Sequence, residues 1–243
     1  MRGVGGKAAV AGLVREACCE WGFFYATGHG VDEGLMEEAL ARCRALFALP
    51  LAEKERLDAS QSKSYRGYNS LASGKHNCKP GPQEIKESFT IGREGEGPMR
   101  GGNQWPPLGD EWRDVMKKYF AATVEAARLV ARALALSLGI EETFFVEQMT
   151  DPSAGMVLLR YPSSPDETEG VGCGEHTDAG FVTMLLHDEV PGLEVKPRGS
   201  EEWVAVPPRK GAFLVNLGDM MARWSNDAYL STPHRVNAVR ASS

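Results

Sequence analysis

Beyond Glu147 the chain abandons helical periodicity for short apolar runs broken by Gly and Pro. The runs are "MVLLRYP", "GFVTMLLHD", "GLEVKPRG", "EWVAVPP", "GAFLVNLGD" and "TPHRVNAV". These read as regularly spaced short strands with turn residues between them. They predict a sandwich or barrel.

The first half has the opposite character. "KAAVAGLVREACCEWG" carries apolar residues at helical spacing and stops at Gly22. "FFYATGHGV" suits a strand that ends in a turn over Thr27 to Gly30. Asp32 can cap the following helix, whose end is marked by Pro50. Residues 58 to 107 are rich in Gly, Ser, Pro and Lys and read as loop, with "KESFTIG" as the best strand. A long amphipathic helix is predicted from about Asp110 to Leu138, with Gly139 as its stop. Its apolar face is expected to hold Trp112, Val115, Tyr119, Ala126, Leu129 and Ala133. The expected organisation is a helical and loop region over 1–107, a supporting helix over 108–147 and a β-rich core over 148–243. The fold class is α+β with a mainly β core.

The 243 residues suffice for one large domain or two small ones. A net charge of −6 argues against nucleic acid as a partner, because no basic face is evident to neutralise phosphates. No apolar run approaches the roughly 20 residues that would span a bilayer, so no membrane is expected. The weakly basic N-terminus is broken by Gly12 and Arg15, which does not suit a secretory signal. Five cysteines with no regular spacing fit reduced thiols and a cytoplasmic protein. Cys173 reads as a small buried hydrophobe. A monomer is assumed.

Of the five histidines, two stand in distinctive strand contexts: His176 in "GEHTDAG" and His234 in "STPHRV". His176 and Asp178 lie two apart, so on a strand both side chains point the same way. A distant second imidazole would complete two histidines and one carboxylate. That set, on one face of an octahedral metal, is the facial triad of non-haem iron oxygenases. Three protein ligands leave positions open for reactants, whereas a closed four-ligand site would be structural. The donor set alone also admits Mn, Co or Ni.

Taken in order along the chain, these fragments resemble the isopenicillin N synthase-like superfamily of 2-oxoglutarate- and iron(II)-dependent dioxygenases. "EACCEWGFFYATGHGV", "LFALPLAEKE", "RGYNSL", "KESFTIG" and "NQWP" follow the family's order. "GEHTDAGFVTMLLHDEVPGLEV", "WVAVPPRKGAFLVNLGDMMARWSND" and "STPHRV" resemble its core.

The resemblance implies a double-stranded β-helix (jelly roll) with N-terminal helices packed on it. It implies His176, Asp178 and His234 as both catalytic residues and iron ligands. The cofactors are then Fe(II), 2-oxoglutarate as cosubstrate, and O2. The implied reaction couples decarboxylation of 2-oxoglutarate, to succinate and CO2, with hydroxylation or desaturation of a small organic molecule. Tyr161 in "LLRYP" matches a tyrosine that reaches the cosubstrate, although the family's asparagine two places earlier is Leu159 here.

A distal arginine and serine anchor the cosubstrate in the family, and "HRVNAVRASS" offers Arg240 and Ser242. They lie closer to His234 than the family pattern places them. Either the loop is shortened or "RAS" matches by accident. Arg235 is expected to point to the opposite face from His234. His29 and His187 read as structural, His76 as solvated, and Asn216 and Asp219 as turn-fixing residues without chemistry.

The chain lacks the family's opening strand and its closing strands, so it reads as shortened at both ends. Shortening would leave the strand carrying His234 at a sheet edge. Two other readings stay open: an oxidase of the same superfamily that uses no 2-oxoglutarate, and a non-catalytic metal-binding or sensing member.

Overall fold

The computed structural model describes residues 4–70, 84–96, 100–164, 171–237 and 239–240. His76, Cys78 and Ser242 therefore lie outside the described residues. In chain order the elements are α1 (Val4–Glu20), β1 (Phe23–Ala26), α2 (Glu33–Phe47), α3 (Leu51–Glu55), β2 (Gly67–Asn69), β3 (Glu87–Gly92) and α4 (Gly109–Ser137). There follow α5 (Phe144–Gln148), β4 (Gly155–Arg160), β5 (Ser163–Ser164), β6 (Cys173–His176), β7 (Val182–Leu185) and β8 (Leu193–Val195). The chain continues with β9 (Val204–Ala205), β10 (Phe213–Leu217), α6 (Asp219–Trp224), β11 (His234–Val236) and β12 (Val239–Arg240). The architecture is α+β, with mainly antiparallel sheets and packed helices.

Several local signals act as the sequence suggests. The Asp32 carboxylate accepts from the Leu35 amide at 2.9 Å and caps α2. Gly139 ends α4 with φ +74°, a left-handed conformation that costs glycine little. Along α4 the buried stripe is Trp112, Met116, Tyr119, Ala126, Val130, Ala133 and Leu134. Leu129, expected on the apolar face, is instead 46% exposed. Trp112 and Val130 are separated by five full turns, so the buried line passes through Val130 and leaves Leu129 at its margin.

The chain forms two compact units, each assembled from separated segments. One holds residues 1–31, 122–152 and 175–235. In it β10 lies between β1 and β7, antiparallel to both. All five residues of β10 are buried, as expected of a central strand covered on both faces. Phe213, Val215 and Leu217 anchor this core with Phe145, Met221 and Tyr229. Fully burying each large side chain contributes about 1.5–3 kcal/mol. A second sheet has the order β6-β11-β8-β9. The strand carrying His234 is therefore internal, which corrects the expectation of an edge.

The other unit holds residues 32–121, 153–174 and 236–243. Its sheet has the order β2-β3-β4, with Phe89 and Ile91 of the central strand buried. A buried ion pair sits beside them. Lys54 donates to Glu87 at 2.7 Å, and Glu87 also accepts from Tyr68 at 2.7 Å and from Arg160. A two-stranded parallel pair, β5 and β12, aligns Arg240 with Ser164.

Candidate metal centre

His176 ends β6, Asp178 lies in the loop that follows, and His234 opens β11. The three come together: one ligand atom from each lies within 4.8 Å of the others. The Nε2 atoms of His176 and His234 are 3.8 and 3.9 Å from the same oxygen, Asp178 Oδ1. The two imidazole rings are 4.2 Å apart between centroids. Burial differs across the set. His234 is buried, while His176 is half-exposed.

The protonation states suit a cation. A carbonyl can only accept, so the 3.1 Å contact between His234 Nδ1 and the Thr232 carbonyl puts the ring proton on Nδ1. The Nε2 lone pair then faces the other two ligands. Burial, and then the neighbouring His176, lower the His234 pKa and favour the neutral ring. Burial pushes the Asp178 carboxyl up, but hydrogen bonds from Asn216 and Thr183 and the two imidazoles outweigh it. The net shift is downward, and Asp178 is ionised.

Asp178 divides its two oxygens. Oδ2 accepts from Asn216 Nδ2 at 2.8 Å and from the Thr183 hydroxyl, and Oδ1 faces the histidines. Asn216 and Thr183 are paired across β10 and β7, so they share one face of that sheet. The loop bearing Asp178 is held from behind. The Asp219 amide donates to the Asp178 carbonyl at 2.7 Å, and the Gly218 amide to the Phe181 carbonyl at 3.2 Å. Thr232, two residues before His234, donates its hydroxyl to the Trp21 carbonyl at 2.6 Å. Phe23 sets its ring edge-on to His234 at 5.4 Å.

Two imidazoles and one carboxylate form the donor set of a facial triad. Residues 152–243 match the family model of the 2OG-Fe(II) oxygenase superfamily, and residues 3–108 match that of the non-haem dioxygenase in morphine synthesis N-terminal region. The 2-oxoglutarate-Fe(II) type oxidoreductase hxnY of Emericella nidulans is 40% identical, over 95% of this chain and 70% of its own. The 2-oxoglutarate-dependent dioxygenase traH of Penicillium crustosum is 37% identical, over 95% of this chain and 74% of its own.

The chain belongs to the 2-oxoglutarate- and iron(II)-dependent oxygenase superfamily.

The jelly-roll fold of this superfamily recurs in its solved structures. A full-length Neurospora crassa protein, solved in complex with alpha-KG, superposes with a TM-score of 0.87 at 29% identity. The match covers 100% of this chain and 77% of that one. As an oxygenase of this superfamily the protein is an oxidoreductase that uses Fe(II), 2-oxoglutarate and O2. No helix among the described residues is long and apolar enough to cross a membrane.

Tyr161 is half-buried; burial, followed by Cys173 and Glu84, raises its hydroxyl pKa, so it is a neutral donor. The backbone of Arg240 is in β12, and its side chain lies outside the described residues. Arg235 pairs with Glu194. His29 is a turn residue that accepts from the Val31 amide at 3.2 Å and contacts the Gly211 carbonyl at 3.2 Å. His187 follows β7, stands outside the triad and has a pKa lowered by burial.

Asn216 is a strand residue bound to Asp178, not a turn former. Cys173 is buried but not merely apolar: Lys86 Nζ lies 3.0 Å from its sulfur, and Glu84 beside it binds Lys86 at 2.9 Å. Nothing local in the sequence marks Thr183 as a partner of Asp178. The signal for Asn216 was available, since a lone amide inside the apolar run "FLVNL" must find a partner.

Proposed function

We propose that His176, Asp178 and His234 hold Fe(II). On this reading the protein couples oxidative decarboxylation of 2-oxoglutarate to hydroxylation or desaturation of a small organic molecule. The observation that carries this reading is the division of labour at Asp178, with one oxygen tied to Asn216 and Thr183 and the other turned to both imidazoles. Bound iron would supply open coordination positions and redox chemistry with O2. The chain's own part is to keep the His234 ring neutral and the Asp178 carboxylate ionised. Against a dication that set leaves one net positive charge, which attracts an anionic 2-oxo acid.

Tyr161, Arg240 and Ser242 are proposed as cosubstrate-binding residues. Support for Arg240 comes from the parallel pairing of β12 with β5, the strand that begins two residues after Tyr161. An arginine fork suits a distal carboxylate. The division into a 1–107 region, a 108–147 helix and a 148–243 oxygenase core is supported by family matches ending at 108 and resuming at 152. A cytoplasmic monomer acting without nucleic acid is the accompanying reading. The adjacent free thiols Cys18 and Cys19 and the net charge of −6 support it.

The test is iron-dependent succinate release by the purified protein, compared with His176→Ala, Asp178→Ala and His234→Ala. Each variant should lose turnover while keeping its circular dichroism spectrum. Wild-type turnover in Asp178→Ala would overturn the assignment.

A further inference from the structure

His234 is the first residue of β11 and directly follows Pro233. A proline gives no amide hydrogen to a ladder, so strand pairing holds this histidine weakly on its N-terminal side. The structure compensates on the face of the sheet away from the other ligands. Arg235 alternates with His234 and so projects from the opposite face. Its Nε and Nη2 both donate to Glu194 Oε2 of β8, at 2.8 and 2.7 Å. Its guanidinium lies 4.1 Å from the centroid of the Trp203 ring, a stacking distance for a cation on an indole. Lys196, also near that ring at 5.9 Å, is engaged by Glu201 at 2.9 Å and does not compete for Glu194. The Lys196 amide donates to the Pro233 carbonyl at 2.9 Å, which carries the attachment to β8 up to the residue before His234.

We propose that Arg235 is a positioning residue for His234, acting through Glu194 and Trp203. The inference rests on the reading of His234 as a metal ligand. Adjacent residues on a strand rotate together, so a guanidinium fixed at two charged contacts and one ring sets the twist of the peptide that aims the imidazole. A lysine at 235 would keep the charge but lose the fork and the planar stacking.

The experiment is Co(II) titration of the purified full chain, followed by the absorption of the bound ion. Urea unfolding is measured alongside it. Glu194→Gln and Arg235→Leu should each weaken Co(II) binding by about 10–100-fold, the size typical for a partner that orients a ligand. Arg235→Lys should fall between wild type and Arg235→Leu. In a His234→Ala background, Arg235→Leu should produce no further change in Co(II) affinity, because the ligand it positions is gone.

Unchanged Co(II) affinity in Glu194→Gln, with binding lost in His234→Ala, would overturn this inference and leave the metal site standing. The same loss from Arg235→Leu with and without His234 would also overturn it, since the clamp would then act only on stability. If His234→Ala binds Co(II) as tightly as wild type, the metal reading fails and the inference with it. Should Arg235→Leu not fold, Glu194→Gln decides alone.

Discussion

Asn216 donates its side-chain amide to one oxygen of Asp178 across 2.8 Å, which leaves the other oxygen 3.8 Å from His176 and 3.9 Å from His234. The amide oxygen of Asn216 is buried without a partner. Its orientation is therefore dictated by the carboxylate, because turning the amide over would set oxygen against oxygen. Replacing Asn216 with Ala should weaken metal binding by about 10–100-fold and let the carboxylate rotate. Calorimetric titration of Mn(II) into the variant checks this. An affinity equal to wild type would return Asn216 to a packing role.

Gly218 governs the loop behind Asp178. A Cβ at this position would land on the carbonyl oxygen of Gly180 and lie 2.6 Å from that of Asp178. Both obstacles are backbone, which cannot step aside as a side chain can. Gly218→Ala should therefore cost about 1–3 kcal/mol of stability, read from urea unfolding. It should also lower metal affinity by displacing Asp178.

Glu87 links stability to pH in the unit that contains β3. Burial raises its pKa, but hydrogen bonds from Lys54, Tyr68 and Arg160 outweigh it, and the folded-state value lies below the usual carboxylate range. A folded-state pKa below the unfolded one adds stability that is present in full above about pH 4.3. It is lost as the pH falls through the folded-state value. Glu87→Gln leaves the buried Lys54 ammonium without its counter-charge and should cost about 3–5 kcal/mol at pH 7. Urea unfolding of both proteins at descending pH should show the gap narrowing as wild-type Glu87 takes up its proton.

Tyr161 tests the cosubstrate assignment. If its neutral hydroxyl donates to 2-oxoglutarate, Tyr161→Phe should raise the apparent 2-oxoglutarate requirement by a factor of a few. That is the size of losing one net hydrogen bond of about 1 kcal/mol. Succinate release measured across cosubstrate concentrations gives the answer, and an unchanged requirement would make Tyr161 a packing residue.

What the sequence determined by itself was whatever near neighbours decide. Asp32 caps α2 because its carboxylate reaches an amide three residues on. Gly139 stops α4 because only glycine takes its φ cheaply. The two-residue spacing keeps His176 and Asp178 close along the chain, although Asp178 falls in the loop after β6 and not on the strand, and "STPHRV" supplies a second histidine in a strand of its own.

The tertiary structure decided what depends on pairing between distant segments. The register of β10 against β7 sets Asn216 opposite Thr183, and only that register makes them joint donors to Asp178. The place of β11 between β6 and β8 makes His234 internal, which no local pattern around "STPHRV" contains. Leu129 faces out because the buried line of α4 is fixed by what packs against it, not by apolar spacing alone. Cys173 gains Lys86 and Glu84 as neighbours across a long stretch of chain. Spacing along a chain fixes which way a side chain points from its own backbone. Which backbone lies opposite is set by burial summed over the whole core, and no local pattern contains that sum.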